Sequence, residues 1–142
     1  MLRMKKKTLY SILGIAVLSV LFYGLNYFLI KPQSIKKQMK LVAVNLNKKC
    51  PIIIDHIAIL DSVGTITHKN FIYYQTLYTL KKQDINQDSV NLYIRPKLIK
   101  KIKKNPNYKA FRNNKIIIDY VFYDKNGLFV NKLSFTPEMY GK

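Results

Sequence analysis

Residues 115–136 read KIIIDYVFYDKNGLFVNKLSFT. Apolar and aromatic strand formers fill Lys115 to Tyr123 and return from Leu128 to Thr136, with Asp124-Lys125-Asn126-Gly127 between them. Asn-Gly supplies the positive φ that a tight antiparallel turn needs, so this stretch predicts a hairpin over 115–136. A second hairpin is expected over 60–80, where the β-rich runs Leu60 to Thr67 and Phe71 to Leu80 flank His68-Lys69-Asn70.

Two helices belong with these hairpins. Over 34–47 (SIKKQMKLVAVNLN), Ser34 suits an N-cap, and Ile35, Met39, Val42 and Leu46 fall along one face. Pro51 then resets the chain, and Ile52 to Ile54 form a short apolar segment. Lys81 to Ser89 reads as a polar connector, and the main helix is expected over 95–104 (RPKLIKKIKK), because a proline is tolerated in a first turn but not inside a helix. Ile94, Leu98, Ile99 and Ile102 would face the sheet. The expected fold class is α+β, in the order α-ββ-α-ββ, with a four-stranded antiparallel sheet and a packed helix.

Upstream, Leu9 to Ile30 (LYSILGIAVLSVLFYGLNYFLI) carries no charge and follows the basic leader MLRMKKK. At about 1.5 Å per residue a helix there would reach roughly 33 Å, so the expectation is a transmembrane anchor over 9–30 after a cytoplasmic leader at 1–8. A cleaved signal peptide fits less well: the apolar run is long, and the small residues Gly14 and Ala16 come too early. A lipoprotein reading fails, since the single cysteine, Cys50, lies well past the run. Basic residues flank both ends, but a short basic leader normally stays inside. Residues 31–142 are therefore expected outside the cytoplasm, on a bacterial inner membrane with the N-terminus inward.

The net charge is +18, from 25 Lys and Arg against seven Asp and Glu. Such a field favours anionic neighbours: headgroups, acidic polymers, acidic proteins or nucleic acid. An AT-rich coding sequence, which also enriches Lys, Asn, Ile, Tyr and Phe, is the plainer source of the same charge. About 110 residues after the anchor suffice for a single core. One cysteine excludes an internal disulfide framework, and Cys50 reads as a small buried hydrophobe.

Residues 47–55 (NKKCPIIID), followed by Leu60-Asp61-Ser62-Val63 and Phe71 to Leu77, resemble a group of small bacterial exported or membrane-anchored proteins of unknown function. Their later part looks similar to Tyr123 to Gly127 and Thr136-Pro137, so the resemblance spans roughly residues 42–138. It implies a shared α+β export domain and no catalytic residue. Members of that group tend to end in a cysteine past the Thr-Pro segment, where this chain has Glu138-Met139-Tyr140.

Little chemistry is written in the residues. Asp84, Asp88 and Asp124 read as turn or cap residues, Asp119 as a salt-bridge partner, and neighbours such as Asp55-His56 on a strand point to opposite faces. Two isolated histidines, His56 and His68, do not make a metal site; Ser62 lacks a nucleophile elbow; the five glycines form no phosphate loop. No enzyme activity, cofactor, metal or small-molecule substrate is expected. Strand tyrosines such as Tyr73, Tyr74, Tyr78, Tyr120 and Tyr123 could stack bases, but no RNA-binding signature accompanies them, so nucleic acid is disfavoured.

The helix over 95–104 is the better candidate. Arg95, Lys97, Lys100, Lys101, Lys103, Lys104, Lys109 and Arg112 form a run with no acid between Arg95 and Lys115. This is either a solvated helix face or a surface for an anionic partner. The leading expectation is a single-pass envelope module that docks on an acidic protein of a membrane complex. The alternative is a binder of anionic lipid, envelope polymer or nucleic acid.

Overall fold

A computed structural model describes residues 19–21, 23–25 and 34–141. The compact unit Lys36–Lys142 holds the sheet and its helices. Helix α1 covers 34–47. The strands are β1 (Ile52–Ile53), β2 (Ala58–Gly64), β3 (Asn70–Leu77), β4 (Ile117–Asp124) and β5 (Phe129–Phe135). Between β3 and β4 the chain runs through helix α2, made of Gln87–Ser89, a π turn at Val90–Ile94 and Arg95–Lys104, and then through α3 (Lys109–Asn113). Helix α4 (Pro137–Tyr140) ends the fold.

The sheet corrects the expected fold in count and direction. It has five strands in the order β1-β2-β3-β4-β5, and it is mixed. The extra strand pairs Ile52 with Leu60 and Ile53 with Ile59, too short a segment to show a period of two. Strands β3 and β4 are parallel, with Asn70 beside Ile117 and Leu77 beside Asp124. The two hairpins are thus joined by a helical crossover that returns the chain to the end where β3 began, the connection a parallel pair requires.

The anchor expected over 9–30 is also not supported. A span needs about 20 continuous apolar helical residues. Among the described residues no helix is long and apolar enough to cross a membrane. Within that run only 19–21 and 23–25 are described, as helix, and the rest of the expected anchor and the leader lie outside the described residues.

Helix α2 includes the expected stretch Arg95–Lys104 but begins earlier, at Gln87. Asn86 caps it, its Oδ1 accepting from the Asp88 and Ser89 amides at 2.8 and 3.2 Å. The π turn reconciles this early start with the proline. Pro96 has no N–H, and its ring presses on the carbonyl four residues back; widening the preceding turn, so that the Arg95 amide reaches Val90 O, relieves the crowding.

One face of the sheet carries the aromatic cluster of the core. Phe71, Tyr73, Gln75 and Leu77 share it by the period of β3, and register places Tyr120 beside Tyr73 and Leu133 beside Tyr120. Helix α3 covers its lower half through Phe111 on Phe71, with ring centroids 4.9 Å apart. Tyr120 stacks on Tyr73 at 5.0 Å and meets the edge of Phe135 at 5.9 Å. Its hydroxyl lies 2.7 Å from that of Tyr108. Burial first, then the neighbouring Tyr108 hydroxyl, pushes the Tyr120 phenol far above its ordinary pKa, so Tyr120 remains neutral. At the other end of the domain Asn47 clamps α1 to β2. Its amide donates to Val63 O at 2.9 Å and accepts from Val63 N at 2.7 Å.

Candidate functional site

The upper half of the same sheet face is left open. Over it, the first part of α2 stands away from the strands and leaves a cleft of about 340 Å3. Val90, Ile94 and Leu98 of α2 form one wall; Leu77, Phe122 and Val130 form the floor; Ile54, Ile57, Leu80 and Ile85 close the ends. Asp124 fixes this geometry: its carboxylate accepts from the Asn126 and Leu128 amides in the β4–β5 turn and, at 3.0 Å, from the Lys82 amide in the connector that carries Leu80 and Ile85. Burial alone would raise its pKa, but these backbone donors outweigh it and hold the carboxyl below its usual range.

The polar members of the lining are few. Gln75 is 8% exposed. It is part of the lining of the cleft. Asp55 at the rim spends one oxygen on the Ile57 and Ala58 amides, which lower its pKa. Lys97, Lys101 and Asn131 complete the mouth. Outside it, Ile53, Leu92 and Tyr93 remain exposed, with Leu92 at 66%. The lining contains no serine, cysteine or histidine to act as nucleophile or base.

The cations expected from the sequence divide into two sets. Lys97, Lys100, Lys101, Lys103, Lys104 and Lys109 are exposed. Among the described residues the ion pair formed is Lys132 with Asp119, at 2.8 Å, so the lysines of α2 are unpaired there. The two arginines serve the fold instead. The Arg95 guanidinium sits 5.8 Å from the Phe135 ring centroid, and its Nε donates to Asn91. Arg112 donates from Nη1 to Ile102 O at 2.5 Å and Asn105 O at 3.0 Å, closing the C-terminus of α2 where carbonyls lack partners. Arg112→Ala is therefore expected to lower unfolding stability by about 1–3 kcal/mol, read from the urea midpoint, while leaving the lysine face unchanged.

Sequence reasoning missed the cleft. Its apolar residues come from the connector, the β1–β2 turn, α2 and four strands, and none of these segments signals a shared cavity. A glutamine at an inward position of a strand was the available signal. Among the described residues no cluster of three His, Cys, Asp or Glu could hold a metal ion. Cys50 is a half-buried free thiol, its pKa raised by burial and by Asp61.

Fold and cleft together define a small α+β domain whose mixed sheet is roofed by a cationic helix over an apolar cavity. The sequence profile of the family described as Domain of unknown function (DUF8479) matches residues 33–129, and the chain belongs to that family. No curated protein matches it. Among solved structures it is similar to a Pseudomonas aeruginosa protein described as secreted, at 16% identity over 77% of this chain and 95% of that one, with a TM-score of 0.64. Two pilotins of type II secretion systems share the fold. One is EpsS of Vibrio vulnificus, 9% identical with a TM-score of 0.62, and the other AspS of Vibrio cholerae, 10% identical with a TM-score of 0.60; each is covered over 94% of its length by 77% of this chain.

Proposed function

We propose that this chain is a small extracytoplasmic binding module of a bacterial envelope complex, docking on an acidic partner protein through the lysine face of α2. The observation that carries the reading is the unpaired set Lys97, Lys100, Lys101, Lys103 and Lys104 on one exposed helix beside an apolar rim. An apolar centre with a charged border is the anatomy of a protein interface. The fold it shares with a secreted protein and two secretion-system pilotins supports the extracytoplasmic setting and a role in assembly rather than catalysis.

Replacing Lys100, Lys101, Lys103 and Lys104 with glutamine tests this. Exposed substitutions of this kind change stability by only about 0.5 kcal/mol, so the thermal midpoint should hold. Each lysine beside an anionic surface contributes about 1 kcal/mol, so cross-linked recovery of an acidic envelope protein should fall more than tenfold. Recovery unchanged by the four substitutions would remove the lysine face from the reading. A complex that dissolves steeply and smoothly with rising salt would instead favour a polyanion as the ligand.

A further inference from the structure

The cleft and the lysine face are one continuous feature, because Lys97 and Lys101 belong to both. On one side they border the apolar cavity; on the other, with Lys100, Lys104, Asn105 and Pro106, they line a shallow basic depression on the outer surface of α2. From the juxtaposition of a deep apolar cavity and a cationic shelf at its mouth, we infer that this site binds an anionic amphiphile, a long-chain carboxylate or phosphate ester whose tail enters the cavity and whose head rests on Lys97, Lys100, Lys101 and Lys104.

Three features support a small ligand rather than a void or a flat contact. First, the volume of about 340 Å3 lies within the range of ligand sites, roughly 300–1,000 Å3. Set against about 30 Å3 per molecule of liquid water, it offers room for part of an acyl chain, with the remainder passing along Ile54 and Ile94 at the mouth. Second, charge is confined to one end. The inner walls are Leu77, Phe122, Val130, Val90 and Leu98, whereas the two cations stand at the opening, so a bound amphiphile has one orientation. Among the described residues the one acid in the lining is Asp55, which interacts with Lys101 and has one oxygen committed to backbone amides. Third, Gln75, over nine-tenths buried, lines the cavity and sets one polar side chain among its apolar walls. An oxygen near the first carbons of the tail would give that amide a hydrogen-bonding partner within the ligand.

The inference shares the lysine face with the protein partner proposed above but adds the cavity, so variants at Ile94 and Ile57 in the cavity lining separate the two. The test uses the full chain expressed in bacteria and supplied with photoreactive, alkyne-tagged palmitate, with a tagged phosphatidic acid in a parallel arm. After irradiation, labelled peptides should map to residues of the cleft in one arm or both; which arm labels identifies the source of the chain. Ile94→Trp places a larger ring across the mouth at a position already 39% exposed, so it should reduce labelling at least tenfold without disturbing the core. Lys97→Glu with Lys101→Glu should reduce it several-fold, and a tagged long-chain alcohol should label weakly. Circular dichroism confirms that both variants fold; if Ile94→Trp does not, Ile57→Phe blocks the other end. Labelling that ignores both kinds of variant, that is equal for the alcohol, or that maps outside the cleft overturns the inference. So does a benzophenone side chain at Leu92 that captures an acidic peptide in place of lipid.

Discussion

Tyr120→Ala is expected to destabilise the protein by about 3–5 kcal/mol, the usual cost of emptying a large aromatic site. The residue is 2% exposed, and its ring joins three packing elements: Tyr73 on β3, Phe135 on β5, and Tyr108 at the entry to α3. Against a total stability of roughly 5–15 kcal/mol, this variant should be largely unfolded at modest urea concentrations. Tyr120→Phe separates the two contributions. It keeps the stacking and removes one hydrogen bond from the Tyr108 hydroxyl, which retains its bond with Tyr73, at about 0.5–1.5 kcal/mol. A Phe variant as unstable as the Ala variant would show that the hydroxyl pair, not the ring packing, holds α3 to the sheet. The measurement is equilibrium urea unfolding followed by circular dichroism, with equal slopes required before midpoints are compared.

Asp119→Ala should rank second, at about 2 kcal/mol near neutral pH, from hydrogen bonds to a charged group. The carboxylate is 2% exposed and accepts from Lys132 Nζ at 2.8 Å and Asn70 Nδ2 at 2.7 Å. Burial acts to raise its pKa, but bonds from Lys132, Ser134 and Asn70 and the Lys132 charge prevail and lower it. Lys132 is half exposed, so water recovers part of its loss and keeps the figure well below that of a fully buried pair. The sign for pH follows from the lowered pKa. The contribution is complete above the unfolded carboxylate value of about 3.9 and is lost as pH falls from there through the lower folded value. Between pH 5 and pH 2 the wild type should lose stability more steeply than Asp119→Asn. Parallel acid limbs would show that Asp119 titrates alike in both states.

Much of the local structure is legible in particular residues. Asn126-Gly127 marks the β4–β5 turn, and Gly127 does adopt a positive φ of 78°. The alternation of Phe71, Tyr73 and Gln75 with Ile72 and Tyr74 marks a strand with two different faces. Three features were not legible. Ile52–Ile53 is too short for any period to identify as a strand. Pro96 is a helix-start signal by its chemistry, and only the wider turn at Val90–Ile94 let the helix run through it. Arg95 and Arg112 look like the lysines around them in sequence, yet Arg95 lies over the Phe135 ring and Arg112 donates to the last carbonyls of α2.

Sequence alone determined the composition of the surfaces: an acid-free cationic helix, two strand pairs with their turns, and the absence of a second cysteine to staple them. These depend on residues within a few positions of each other, where period, propensity and turn chemistry act directly. The tertiary structure decided everything that depends on contacts across many positions. It set the parallel register of Asn70 with Ile117, which requires the whole crossover to be in place. It also set the cleft, where Ile57, Gln75, Leu98 and Val130 meet although no two are neighbours in the chain. A cavity is what packing leaves unfilled, and it follows from where α2 stands over the sheet rather than from any one segment's pattern.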